Sequence, residues 1–346
     1  MTVNELMERV RQEMTGDAKA DLKRISEIAQ EYKKEENAGE LMEALAQFAV
    51  EMLPEDTRRQ MEESTFVRGV RMDRAFSDAL QMIRENKTAE AETLLSEIAS
   101  KIQTHFAEGD KKWFSFRNPF EYHMYRLFYP EDTKFDRAPF DFANYLQTYA
   151  YVLLNNGRGL AALQMLDRAI AFNPVSVDPR FEQAEIYKLM RMPAKLLEVT
   201  RETARLGTAP QVFARTAANM GYYCVLMEQL QDAAVFYFDS LRFVSAPAIE
   251  SELQDTIHRM QLSGTLFAPP SKGQILDVYE KYNVQQPPNS DLVNLALTLA
   301  GSAHQHARFE LEGLFLRTAY DMTNSDEIRE KIEQLEKAIE IMKSAD

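Results

Sequence analysis

The sequence predicts an all-α protein assembled from antiparallel helix pairs. Three observations carry that expectation. Apolar residues recur at three- and four-residue spacing along most of the 346 residues, as in Leu41, Leu45, Phe48 and Met52. Glycine (12) and proline (13) are sparse, which favours long helices over turn-rich β architecture. Small residues at the same place in a helix, Ala150, Ala184 and Gly221, recur at steps of 34 and 37 residues, the sign of an internal repeat.

Taken in order, residues 1–112 read as an N-terminal helical region. Helices are expected over 4–14, 18–36 and 39–53, over 55–86 with a break near Gly69, and over 88–106. Pro54 ends the third, and the acids after it suit a first helical turn. Residues 113–139 form an aromatic-rich connecting segment. Residues 113–151 hold 14 of the 35 aromatic residues. Those of 113–129 are too much apolar surface to expose without aggregation, so these rings are expected to seal the junction between the N-terminal helices and the repeats. The other reading is an exposed aromatic hook for a partner. A helix is expected over 119–128, a loop over 129–138 and a helix from about Pro139. Residues 140–262 repeat helix, short turn, helix. Residues 263–273 read as a loop, 273–282 as a helix, and Gln285–Ser290 as a proline-rich break. A helix pair comes next, over 291–322. The last helix, 325–343, lines up Ile328, Ile332, Leu335, Ile339 and Met342. No segment alternates apolar and polar residues cleanly enough to read as a strand.

The net charge of −14 argues against a nucleic-acid backbone as partner, because such binding needs clustered lysine and arginine. The charge is concentrated at the ends, with −7 over residues 1–64 and −4 over 321–346. The single cysteine, Cys224, excludes an internal disulfide and fits a reducing compartment. The opening MTVNELMERVRQEM lacks an apolar signal core, and no apolar run reaches membrane-span length, so a cytoplasmic protein without membrane contact is expected.

The residues of 143–176 show what the repeat is. Leu146, Tyr149, Ala150 and Leu153 run large, large, small, large along a first helix. Asn156 and Gly157 make a turn, Ala162, Leu166 and Ala169 mark a second helix, and Pro174 closes the unit. Residues 214–247 repeat the pattern with Met220, Gly221, Ala233, Tyr237, Ser240 and Pro247. Between them, 177–210 keeps Ala184 and Tyr187 but places Leu196 and Thr200 where a small and a large residue are usual. Weaker units lie at 72–105 (Ala79, Met82, Ala91, Leu95) and 293–326 (Leu299, Ala300, Leu316, Ala319). This pattern resembles the tetratricopeptide repeat family, closely over about 140–250 and loosely over 70–325, with three such units expected in 140–262. The resemblance implies a right-handed superhelix of antiparallel helix pairs, an α-solenoid with extra N-terminal helices. Residues 273–346 would supply a degenerate repeat and a capping helix.

The family binds polypeptides in a concave groove lined by the first helix of each unit. Carried over, that face comprises Asn144, Gln147, Tyr151 and Asn155, then Phe181, Glu185 and Lys188, then Arg215, Ala218 and Tyr222. Amides suit an extended backbone, and tyrosine gives contact area at low entropic cost. Some members clamp a terminal carboxylate with lysine and asparagine. Gln147 and Tyr151 stand at those positions here, so that ligand is not expected. The expected function is a non-enzymatic adaptor or scaffold for a protein or peptide partner. The alternative is a peptide- or small-ligand-sensing regulator without a DNA-binding domain.

No catalytic or metal site and no cofactor is expected. The sequence has no phosphate-cradling glycine loop, no G-x-S-x-G and no H-E-x-x-H. His304 and His306 are two residues apart, so on a helix they do not face one another. Cys224 falls on an apolar face, which suits a buried, inert thiol.

Overall fold

The computed structural model describes residues 1–33, 35, 37–107, 112–129 and 134–345. Among these lie eighteen helices and four short strands.

α1 (Val3–Glu13), α2 (Ala18–Glu31) and α3 (Ala38–Glu51) form a three-helix bundle. Thr2 and Glu5 close a capping box on α1, and Asp17 caps α2. The apolar stripes meet in a core of Leu6, Val10, Ile25, Ile28, Leu41 and Leu45, separate from the other cores. α4 (Glu55–Thr65) comes next, and the break expected near Gly69 is a tight hairpin of β1 (Phe66–Val67) and β2 (Val70–Arg71). Arg68 and Gly69 take positive φ at its tip.

The helix pairs begin with α5 (Met72–Arg84) and α6 (Thr88–Phe106). After β3 (Lys112–Phe114), α7 (Pro119–Phe128) and β4 (Phe135–Arg137) come α8 (Phe142–Asn155) with α9 (Gly159–Phe172) and α10 (Asp178–Leu189) with α11 (Pro193–Leu206). α12 (Pro210–Leu226) with α13 (Leu230–Phe243) completes the series. Within this series each paired helix packs on the paired helices next to it in sequence, and α6 bridges to α8 past the connecting segment. β3 and β4 pair in parallel inside the stretch expected to be irregular. Strands of two or three residues are too short to show an alternation, which is why none was expected.

The first helix of each pair closes in the same turn. α5, α8, α10, α12 and α16 (Ser290–Gln305) each end in one left-handed residue: Asn86, Gly157, Arg191, Glu228 and Ala307. The next N–H donates back to the first helix in every case: Lys87 to Met82, Arg158 to Leu153, Met192 to Tyr187, Gln229 to Cys224 and Arg308 to Ala303, at 2.8–2.9 Å. This is a Schellman cap, which satisfies carbonyls the helix leaves orphaned. The left-handed residue comes after the small residue by the same interval in all five pairs, from Ala79, Ala150, Ala184, Gly221 and Ala300 respectively. All five small residues are buried. At Gly221 the reason is direct, since a Cβ there would lie 2.6 Å from the Tyr237 ring. The longer step before Gly221 comes from α12, which begins eleven residues ahead of it, whereas α10 begins six ahead of Ala184; a linker two residues shorter offsets part of the difference.

Beyond α13 the regular order stops. α14 (Pro247–Leu262) packs on α13, and α15 (Lys272–Lys281) returns to α13 as well. The proline-rich stretch then crosses to α11, where the Asn289 side-chain amide donates to the Arg205 carbonyl at 2.9 Å. The last pair, α16 and α17 (Phe309–Thr323), packs against α7, and α18 (Asp326–Ala345) covers α17.

The connecting segment is therefore core, but not chiefly at the expected junction. Trp113 does sit there, edge-on to Phe106. Phe114, Phe120, Met124 and Tyr125 instead share a core with Leu292, Ala296, Phe315 and Leu316 of the C-terminal pair. Val175, Leu206 and Phe213, at the joints between successive pairs, belong to the same core. α7 thus ties one edge of the array to the end of the chain. On α18, Ile328 and Leu335 are buried, Ile332 and Ile339 are partly buried, and Met342 is exposed. No helix among the described residues is long and apolar enough to cross a membrane.

Candidate functional site

The residues expected to line a binding face fall into two groups with opposite character. The first is a stripe on α8. Asp141 caps this helix, its carboxylate accepting the Asn144 N–H at 3.2 Å. Asn144, Gln147, Tyr151 and Asn155 succeed one another at steps of three and four residues, which places them on one side of the helix. The opposite side carries Leu146, Tyr149, Ala150 and Leu153 into the core. Asn144 and Asn155 are exposed, Gln147 is half-buried, and Tyr151 is 53% exposed. None of these four side chains makes a hydrogen bond or ring contact with another described residue.

The second group joins α10 to α12. Phe181 was expected on the surface, but it is buried. The Arg215 guanidinium lies 4.4 Å from its ring centre and roofs it over. The same guanidinium is 3.5 Å from Glu185 and 3.7 Å from Glu182. Lys188 completes the chain, its Nζ 3.0 Å from Glu185 and 5.5 Å from the Tyr222 ring centre. Ala218, also expected on this face, is buried. Phe181, Lys188, Arg215 and Tyr222 are thus brought together with both glutamates into one closed network. Glu182 was not among the expected residues. It lies one turn before Glu185 on the same side of α10, a spacing that marks it out.

Arg117, from the connecting segment, stands at the entry of both helices. Its guanidinium is 2.6 Å from Glu121 and 2.5 Å from Asp178, the first residue of α10. Glu121 is buried and also accepts the Asn173 side-chain N–H at 2.8 Å. Burial raises the Asp141 carboxyl above its ordinary range, while Arg117 pulls it down. This anchor ties the connecting segment to the first residue of α10. Nothing in the sequence pattern pointed to it, because Arg117 lies outside the repeats.

Elsewhere, His304 faces the buried Glu312 across the last turn at 3.0 Å. No group of three or more His, Cys, Asp or Glu among the described residues is arranged to hold a metal ion. Cys224 is fully buried, and that burial pushes its thiol up to about 12, so it stays protonated at neutral pH.

Compared with known proteins, no family model matches the chain and no curated protein matches it.

Proposed function

We propose that the helix pairs are tetratricopeptide-type repeats and that the α8 stripe is the docking face for an extended polypeptide. One observation carries this reading. Asn144, Gln147, Tyr151 and Asn155 have no described partner within the protein, whereas the matching positions of α10 and α12 satisfy one another. Asparagine and glutamine side chains each offer a donor pair and an acceptor, the complement of an exposed peptide backbone. Tyr151 adds a rigid, half-apolar ring at the centre of the stripe. In the groove expected of such repeats, α8 would do the gripping. The α10–α12 network would serve as a preformed wall whose ion pairs fix its shape.

The test is selection from a displayed library of random dodecapeptides on wild type and on the Asn144→Ala, Tyr151→Ala double variant. The double variant substitutes exposed residues, so its helical circular dichroism should match wild type. Peptides enriched by wild type and lost by the variant support the reading. Equal enrichment on both proteins sinks it.

A second reading, a ligand-sensing repeat protein, is favoured by a pocket at the far end of the array, beneath the loop after α14.

A further inference from the structure

The nine residues between α14 and α15 form a loop, yet it is held in place at three points. Thr265 N donates to the Met260 carbonyl at 2.9 Å, which caps α14 through the left-handed Gly264. The Phe267 ring packs against Phe238 of α13 with centroids 6.4 Å apart. Ser271 and Gln274 form a reciprocal capping box that starts α15. Pro269 and Pro270 stiffen the stretch between. A loop held this way is a wall, and between it, α13 and α15 lies an open-mouthed pocket of about 370 Å³. That volume lies within the range of small-ligand sites.

The lining has two parts. Val235, Met260, Phe267 and Val278 make an apolar interior. Two carboxylates border it, and they are not equivalent. Asp232 is already spent, accepting from Lys281 Nζ and from the Tyr282 hydroxyl at 2.6 Å each. Asp277 is exposed and makes no hydrogen bond or ion pair with another described residue. Gln274 borders the pocket too, its side-chain oxygen accepting the Ser271 N–H of the capping box at 2.9 Å. Leu266 stands at the mouth, 86% exposed, an apolar side chain with no covering partner. The site therefore offers four apolar side chains, one uncompensated negative charge, the side-chain amide of Gln231 and an apolar rim.

We infer that this pocket binds an alkylammonium group, its aliphatic stem against Val235, Met260 and Val278 and its charged head on Asp277. An anion of the same shape meets the charge of Asp277 and is excluded. A neutral alcohol gains the apolar contact alone. The net charge of −14 favours the approach of a cation as well. The same chemistry occurs in a free aliphatic amine and in a lysine side chain of a polypeptide.

The experiment is a titration of the full chain, monitored by the methyl NMR signals of Val235 and Val278. The probes are n-pentylammonium, n-pentanol and n-pentanoate. Saturable shifts with pentylammonium, weaker ones with pentanol and none with pentanoate are expected. Asp277→Asn, a change at an exposed position, should weaken pentylammonium by about tenfold, the scale of a lost charged hydrogen bond. Phe267→Ala should weaken pentylammonium and pentanol alike by removing part of the wall. Nα-acetyl-lysine methylamide distinguishes the two sources. Binding as tight as pentylammonium assigns the site to a lysine of a polypeptide, and binding of the amine alone assigns it to a small molecule. Equal binding of pentanoate, or pentylammonium binding that Asp277→Asn leaves unchanged, overturns the inference.

Discussion

Gly221 shows how a single residue sets the packing of a helix pair. A methyl group there meets the Tyr237 ring at 2.6 Å, and Tyr237 is itself buried, with its hydroxyl donating to Glu252. Gly221→Ala is expected to cost about 1–3 kcal/mol, the usual range for overpacking a filled core, although alanine is the better helix former. Chemical denaturation measures it, and an unchanged midpoint would mean that the ring yields. A second residue controls the N-terminal bundle. Asp21 is fully buried, and its carboxylate accepts the Thr15 N–H at 2.7 Å, the Thr15 hydroxyl at 2.8 Å and the Gly16 N–H at 2.9 Å. The Thr15 N–H bond, first among these, holds the carboxyl below its ordinary range. A lowered folded-state value means stability that is present above the ordinary carboxylate range and is lost as pH falls through the folded value. The bundle should therefore loosen below about pH 4. Asp21→Asn should weaken it at neutral pH and flatten that acid dependence, as seen in thermal melts at pH 7 and pH 3. An unaltered acid limb in the variant would assign the effect to other carboxylates.

At the scale of elements, the five helix pairs share one turn, and that turn is made from five different residues. Only Gly157 is a glycine, while Arg191 and Glu228 hold left-handed backbone at a steric cost of about 1–2 kcal/mol each. Both side chains are exposed, and neither forms an ion pair among the described residues. Arg191→Gly and Glu228→Gly should each raise stability by roughly 0.5–1 kcal/mol, the relief of strain less the added freedom of glycine in the unfolded chain. A loss of stability in either would contradict the turn assignment. This turn also explains what the sequence made legible. Small residues at a fixed place in a 3.6-residue pattern were visible at Ala79, Ala150, Ala184, Gly221 and Ala300, because packing leaves a compositional trace. Helix bounds could be placed within a few residues, since prolines and polar turns punctuate them. The turn itself was not legible where arginine or glutamate occupies the left-handed position. The parallel pairing of Lys112–Phe114 with Phe135–Arg137 was hidden as well, because so few residues carry no period.

At the scale of the molecule, the less legible feature is the return of the chain upon itself. The apolar faces of α7 and α16 can be read from the sequence, but which of them meet is a long-range matter that periodicity does not encode. The same limit applies to the proposed binding face. Asn144, Gln147, Tyr151 and Asn155 lie on the outer side of α8 as their spacing implies, while Phe181 is covered because Arg215 arrives from the next pair. The open and closed halves of that face differ in what they can offer a peptide. Docking on the α8 stripe concentrates the binding energy in Tyr151 and leaves Tyr222, already engaged by Lys188, nearly silent. The most direct measurement is a calorimetric titration of one selected peptide into wild type, Tyr151→Ala and Tyr222→Ala. Tyr151→Ala should weaken the complex by about thirtyfold, as expected of an interface anchor, and Tyr222→Ala should change it less than about threefold. Wild-type affinity in Tyr151→Ala, with the loss carried by Tyr222→Ala, would refute docking on the α8 stripe.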